Sequence, residues 1–432
     1  MRVLISAYDC EPGTGSESGV GWNCVRQIAR SQEVWVLTRS HKRSILEGAA
    51  AEENLPKLHW AYFDLPRWMG LLNGGQLRVQ AYYYLWQIGA YFAARKWHRR
   101  IKFDVVHHVT FGKYWNPSFL SLLPAPFIWG PVGGGESAPR RFRRSFSRYG
   151  KLHEVLRNFG RGLEHFDPFL RLTAKRASLA MAASSDTEER IRNLGCPRVE
   201  VFSVVGLPHE DILQLNQIPQ HSGEPFRLLS IGRLFSFKGF HLGLKAFADF
   251  QKQFPGSEYW LIGEGPERKR LEKLAEKLGV SGKVKFWGSL RRAEVLEQLA
   301  QCDVLVHPSL HEAGGCVCAE AMAAGLPVVC LDLGGPALLV TEQTGIKVQA
   351  ISPEQAIHDM TGALGRLCAN PALRGRFGDA GRSRVRELFD WDRRGQQILE
   401  IYERPTTAAG ILIQPTAEDR PQADPSEIRS RQ

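Results

Sequence analysis

The sequence is poor in the features that mark membrane-spanning, disulfide-stapled or metal-scaffolded proteins. A spanning helix needs about 18 uninterrupted apolar residues, and the best stretch, Ala81 to Ala94, falls short and carries Gln87. The eight cysteines, at positions 10, 24, 196, 302, 316, 318, 330 and 368, form none of the CxxC pairs of a zinc site. They lie mostly in apolar runs such as Val328-Val329-Cys330, so they read as reduced core residues of a cytoplasmic protein. No secretory signal is read either. Arg2-Val3-Leu4-Ile5-Ser6-Ala7 has the look of a buried strand, and ordered structure is expected from the first residues.

What is present suits a large folded enzyme. A chain of 432 residues is long for one core and favours two domains of roughly 200 residues each. Its 43% hydrophobic content excludes a mostly disordered protein. The net charge is +11, and most of the excess sits between Arg140 and Arg176. There, 11 Lys or Arg face only Glu154, Glu164 and Asp167. Such a patch points to a membrane surface or nucleic acid, or is a solvated charged face.

Apolar runs of strand length alternate with helix-length amphipathic stretches, the pattern of parallel α/β layers. Strands are expected at Val3–Ala7, Val34–Thr38, Leu58–Phe63, Val105–Val109, Pro126–Trp129, Leu179–Ala183 and Val199–Val204. Among the helices between them are Gly19–Arg30, roughly Gln76–Arg100, and Thr187–Leu194. The polar stretch Gln214–Pro225 reads as an interdomain linker, dividing a first domain (residues 1–213) from a second (226–389). Beyond it the pattern restarts at Arg227–Ile231. A terminal helix is expected over residues 390–404, crossing back to the first domain, with Asp390 as its N-cap. Residues 405–432, charged and Pro-rich, read as a disordered tail.

Two strand-turn-helix junctions in the second half carry the chemistry. Ser230-Ile231-Gly232-Arg233-Leu234-Phe235-Ser236-Phe237-Lys238-Gly239 sets two cations at the carboxyl end of a strand, where open parallel sheets bind ligands and a helix N-terminus favours phosphate. Arginine offers a bidentate fork there and lysine a point charge; a surface cation pair is the plain alternative. In His307-Pro308-Ser309-Leu310-His311-Glu312-Ala313-Gly314-Gly315-Cys316-Val317-Cys318-Ala319-Glu320, the amides around Gly314, Gly315, Cys316 and Val317 face whatever fills the mouth. Glu320 stands in an apolar run, where an acid is seldom idle. Paired carboxylates suit hydroxyl groups; an exposed turn acid and a buried ion pair are the alternatives.

Arg233 with Lys238, followed by Glu312 and Glu320, resembles the donor site of retaining glycosyltransferases of family four (group 1), and the similarity covers most of residues 1 to 400. The resemblance implies the GT-B fold, two Rossmann-like domains facing each other across a cleft. It also implies transfer of a sugar from a UDP-, GDP- or ADP-sugar to a glycan or lipid-linked hydroxyl, as in members that build extracellular polysaccharides. By that pattern Arg233 and Lys238 bind the diphosphate, Glu312 the transferred sugar, Glu320 the ribose, and Leu290 lies against the base. The sequence departs at Gly314, a position commonly aromatic in the family.

In the first half, the loop from Cys10 to Trp22, with Gly15 and Gly19, resembles the family's N-terminal glycine loop. It does not fit a nicotinamide site, because the third glycine of GxGxxG falls on Ser18. His107 or His108, ending the strand from Val105, would contact the donor sugar by the same resemblance; a core histidine is the alternative. Glu136, after Trp129-Gly130-Pro131, reads as an acceptor-binding acid or as part of a turn. No metal is expected. The only Asp-x-Asp close to a metal-holding pattern is Asp390-Trp391-Asp392, which reads as a helix cap, leaving charge neutralisation to the two cations and a helix N-terminus.

The helix near Gln76–Arg100 bears Tyr82, Tyr83, Tyr84, Trp86, Tyr91, Phe92 and Trp97 and ends in basic residues. With the patch further on, this reads as peripheral contact with the inner face of an anionic membrane, although one face of so long a helix belongs to the core. Nucleic acid is disfavoured as a partner, since Glu312 and Glu320 would repel a polyanion. A disaccharide phosphorylase and a basic binding protein without catalysis remain as alternatives, and dependence on a nucleotide sugar, on inorganic phosphate or on neither separates them.

Overall fold

Short apolar runs become parallel strands, and in this computed structural model, which describes residues 1–66, 76–162, 166–221 and 223–404, they form two sheets. The first holds β1 (Arg2–Ser6), β2 (Glu33–Thr38), β3 (Leu58–Tyr62), β4 (Val105–His108), β5 (Phe127–Val132), β6 (Leu179–Ala182) and β7 (Val199–Val201), ordered β3-β2-β1-β4-β5-β6-β7. The second holds β8 (Arg227–Ile231), β9 (Glu258–Ile262), β10 (Val284–Gly288), β11 (Val304–His307), β12 (Val328–Leu331) and β13 (Gly345–Val348), ordered β10-β9-β8-β11-β12-β13. Every pairing is parallel. In each sheet the order reverses beside the first strand, at β1/β4 and β8/β11. That is where loops part and leave room for a ligand.

The first domain's helices are α1 (Ser16–Ala29), α2 (Arg43–Glu52), α3 (Gln76–Ile101), α4 (Arg148–Gly162), α5 (Pro168–Arg176) and α6 (Ser185–Asn193). Then come α7 (His209–Asn216), α8 (Phe240–Gln251), α9 (Arg268–Lys277), α10 (Arg292–Leu299), α11 (Cys316–Ala323), α12 (Gly334–Leu339), α13 (Pro353–Ala369), α14 (Pro371–Leu388) and α15 (Trp391–Glu403). Both sheets are covered on both faces, so neighbouring strand residues enter different cores. Leu4 packs with Val106 and Trp129, whereas Val3 and Ile5 pack with Val25 and Ile28 of α1. The same alternation sends Leu228 and Leu229 to opposite faces of the second sheet. Together the sheets make the GT-B architecture of two Rossmann-like domains.

The chain crosses between domains earlier than its polar composition suggests. α7 buries Ile212 and Leu215 in the second domain's core, beside Leu229 and Met322, so the first three residues of the expected linker, from Gln214, are helical. Polarity at residues 217–221 marks chain at the surface, while the passage lies near Val204 and Val205. At the other end, α15 returns to the first domain. Asp390 caps it by accepting from the Asp392 amide, and Trp391, Ile398, Ile401 and Tyr402 pack in the core with Ile5. The tail expected from Pro405 lies outside the described residues. The eight cysteines are all free, six of them buried.

Candidate active site

Two turns at the carboxyl end of the second sheet are clamped together. Gly239 adopts a left-handed φ of 70°, and a Cβ there would meet the Pro308 carbonyl oxygen at 1.9 Å, so only glycine fits. Leu310 N–H donates to the Phe237 carbonyl at 2.8 Å. This clamp delivers Lys238 to Glu312: Nζ stands 2.6 Å from Oε2, and His307 Nε2 meets the same oxygen at 2.9 Å. Burial alone would raise the Glu312 carboxyl, but His307 and Lys238 outweigh it and hold the group well below the ordinary range. Glu312 is therefore a fixed anion rather than an exposed turn acid.

Glu312 is followed by the loop that starts α11. Gly315 takes a left-handed φ of 103° as its N-cap, leaving the first amides of the helix, at Cys316 and Val317, without carbonyl partners inside it. The loop is gripped from two sides. A Cβ on Gly314 would lie 3.3 Å from Val204 Cγ1, and Gly335 N–H donates to the Glu312 carbonyl at 2.8 Å. The interdomain passage thus occupies the space beside Gly314, which accounts for glycine at this position.

Glu320, on α11, accepts from Arg292 Nη1 at 2.5 Å, and Arg292 also reaches Asp211 at 3.7 Å. Burial raises the Glu320 carboxyl despite Arg292. Leu290 joins Trp287, Cys316 and Val317 on the apolar cluster next to this pair. An apolar wall beside a half-buried carboxylate, with helix amides nearby, can take the base, the hydroxyls and the phosphates of one nucleotide.

Arg233 is exposed and lies over Phe235, 5.3 Å from its centroid. From there a column of rings leads out of the second domain: Phe235 stacks on Phe237 at 5.5 Å, and Phe237 on His311 at 4.4 Å. His311 Nε2 ends it, 3.3 Å from Glu154 Oε2 on α4 of the first domain. The sequence names His311 and Glu154 without linking them, since nothing local relates residues so far apart. His307 and Arg292 were equally unassigned. His307 alone left a signal, standing at the carboxyl end of a strand beside a turn.

The first domain corrects several expectations. His107 and His108 do not face the cleft. His107 sits between Tyr402 Oη and the Gly130 carbonyl, both at 2.6 Å, and His108 between Tyr83 Oη at 3.2 Å and Ser118 Oγ at 3.0 Å. Burial lowers them to about 4 and about 3, with His107 adding to the effect on His108. They are neutral core residues, because a central strand flanked by β1 and β5 points its side chains into the layers. Glu136 also turns inward, accepting from the hydroxyls of Ser184 and Thr187 and from the Gly134 amide.

Gly19 is a steric necessity of its loop, since a Cβ would meet the Thr14 carbonyl oxygen at 2.0 Å, whereas Gly15 faces open space. Helix α1 begins three residues before the expected Gly19, because its glycines pack against the loop instead of forming it. Glu17 was not foreseen. It is pushed up by burial, partly offset by Lys113 and by the amides of Phe111 and Gly112. The α3 aromatics are largely core: Tyr82, Tyr83 and Trp86 are buried, and Phe92 is the exposed exception at 61%.

Comparison with known proteins finds likeness in sequence for the second half of the chain and in fold for most of it. Residues 211–384 match the family described as glycosyl transferases group 1. They form a group 1 glycosyltransferase domain. Glycogen synthase of Mycobacterium tuberculosis is 31% identical over 179 residues, 41% of this chain and 42% of the relative. The lipopolysaccharide core biosynthesis glycosyltransferase LpsD of Rhizobium meliloti is 29% identical over 185 residues, 43% and 51% of the two chains. The chain thus spans about half the length, or less, of these two curated relatives. Among solved structures, Anabaena HepE in complex with UDP and glucose superposes with a TM-score of 0.56 at 19% identity, covering 93% of this chain and 99% of that one. Its likeness is one of fold.

Proposed function

We propose that the protein moves a sugar from a nucleoside diphosphate donor to a hydroxyl of a glycan or lipid-linked acceptor, with retention of anomeric configuration. The observation that carries this reading is the cluster of Lys238, Glu312 and the open start of α11, with Glu320 on the same helix. Cation, helix amides and two half-buried carboxylates suit a diphosphate bonded to a sugar at one end and a ribose at the other. The names of the curated relatives, a glycogen synthase and a lipopolysaccharide core glycosyltransferase, support sugar transfer.

In this reading Glu320 accepts from the ribose hydroxyls, Leu290 lies against the base, and Glu312 accepts from the transferred sugar. Lys238 and Arg233 face the diphosphate. As the bond from the anomeric carbon to the leaving phosphate oxygen lengthens, negative charge grows on the diphosphate and positive charge on the sugar ring. Lys238, Arg233 and the α11 amides stabilise the first in place of a metal ion, and Glu312 stands beside the second. The acceptor hydroxyl attacks the same face that the leaving group vacates, and the departing phosphate oxygen takes its proton.

The test is turnover of UDP-, GDP- and ADP-sugars, with the anomer of the first product read by proton NMR. Release of nucleoside diphosphate with a retained anomer is expected. Sugar release that requires inorganic phosphate and ignores all three donors would overturn the reading.

A further inference from the structure

Eight large hydrophobic residues lie exposed on three helical stretches of the first domain: Leu85 and Phe92 on α3, Tyr149, Leu152 and Val155 on α4, and Phe166, Phe169 and Leu172 at α5. Phe166 is 83% exposed and Val155 63%. Soluble surfaces scatter such residues singly, and their grouping signals a binding surface. On α4 the pattern is helical. Arg148, Tyr149, Lys151, Leu152 and Val155 face out, while Gly150 and Glu154 face in. α5 repeats it within a few residues, with Phe169, Arg171, Leu172 and Lys175 outward and Leu170, Thr173 and Ala174 inward. Tyr84 Oη donates to Asp167 Oδ2 at 3.2 Å, which ties α3 to the start of α5.

The charge on these faces decides the occupant. Arg148, Lys151, Arg171 and Lys175 form no ion pair among the described residues, so the apolar residues stand in a field of one sign. A second copy of the same face would set cation against cation. Nucleic acid would use the cations but leave Leu152, Val155 and Leu172 without a role, since bases stack on rings and not on branched aliphatic chains. A bilayer with anionic headgroups uses both kinds of residue: the apolar side chains enter the headgroup boundary and the cations meet the lipid phosphates. No helix among the described residues is long and apolar enough to cross a membrane, so the contact is peripheral.

We propose that the outer faces of α4 and α5, continued by Leu85 and Phe92 of α3, dock on an anionic bilayer surface. This deepens the transferase reading by placing its acceptor side at a membrane, yet the surface stands on geometry of its own. The inner face of α4 carries Glu154 to His311, and through the stacked rings to Phe235 and Arg233. A lipid-held α4 therefore steadies the donor turn.

Flotation with phosphatidylcholine vesicles, with and without phosphatidylglycerol, tests the surface without turnover. The protein should float with anionic vesicles and remain below with neutral ones. Arg148→Gln and Lys151→Gln should each weaken partitioning by about fivefold, and the pair Leu152→Asp with Val155→Asp should abolish it. These residues are exposed, so an unchanged thermal melt confirms that the fold survives. Flotation of the double aspartate variant like wild type would overturn the proposal. So would equal binding to neutral vesicles, tight binding to single-stranded nucleic acid in place of vesicles, or dimerisation that the aspartates abolish. Failure of donor turnover with normal flotation would count against the transferase reading alone.

Discussion

Arg292 and Glu320 meet at the edge of the candidate nucleotide pocket, the guanidinium 2.5 Å from a carboxylate that burial pushes towards its neutral form. Two groups set the charge at this point: Arg292 from α10 opposes the upward shift, and Asp211 from α7 adds to it. A carboxylate accepts from ribose hydroxyls best when ionised. Donor affinity should therefore weaken as pH falls through the raised value of Glu320. In Arg292→Met the opposing cation is gone, and the weakening should begin at higher pH. KM for the donor measured against pH checks this, with kcat at saturation little changed. Coincident profiles for variant and wild type would show that Arg292 does not set the ionisation of Glu320.

Lys238→Ala removes a cation from the site of the growing charge and should lower kcat/KM by about 100- to 1000-fold, the loss typical of one preorganised electrostatic contact. Glu312 keeps His307 in the variant, so the melting temperature should move little. A drop in kcat/KM below tenfold, with the fold intact, would place the diphosphate elsewhere.

Gly314 faces Val204 and Val205 at a distance that leaves no room for a ring. Gly314→Phe should cost about 1–3 kcal/mol by overpacking, read as a lowered urea midpoint, and should raise the donor KM because the same loop carries Glu312. Gly314→Ala should be far milder, since the nearest atom is the tip of a valine side chain.

Acid should destabilise the fold through His107 and His108. Both are held neutral in the core at about 4 and about 3, against an ordinary value of 6.5. The unfolded chain binds protons there that the folded chain refuses. Their contribution is complete above pH 6.5 and drains away as pH falls towards 4. Urea midpoints across that interval should decline, and more shallowly in His108→Asn, which removes one titrating group.

Much of this architecture was legible in sequence because parallel strands buried on both faces are nearly continuous apolar runs. Val304–Val306 and Val328–Leu331 could hardly be anything else. The positions of the proposed donor residues could be read locally, since Lys238, Glu312 and Glu320 each sit within a few residues of a strand end or helix start. His107 and His108 misled because a histidine at a strand end looks alike whether its ring points to a cleft or a core. Tyr402, which fixes His107, is distant in sequence, and no local pattern announces it. The crossing point failed for a related reason: composition reports exposure, and the passage at Val204–Val205 is apolar because it packs against Gly314. Partners brought together only by folding, such as Glu154 with His311, leave no mark in either neighbourhood.

In the proposed function, Lys238 and Glu320 hold a nucleoside diphosphate. Isothermal titration of wild type, Lys238→Ala and Glu320→Ala with UDP, GDP and ADP tests it most directly. Saturable binding of at least one nucleotide by wild type is expected, weakened at least tenfold in each variant while the melting temperature holds. Equal affinity in all three proteins would contradict it.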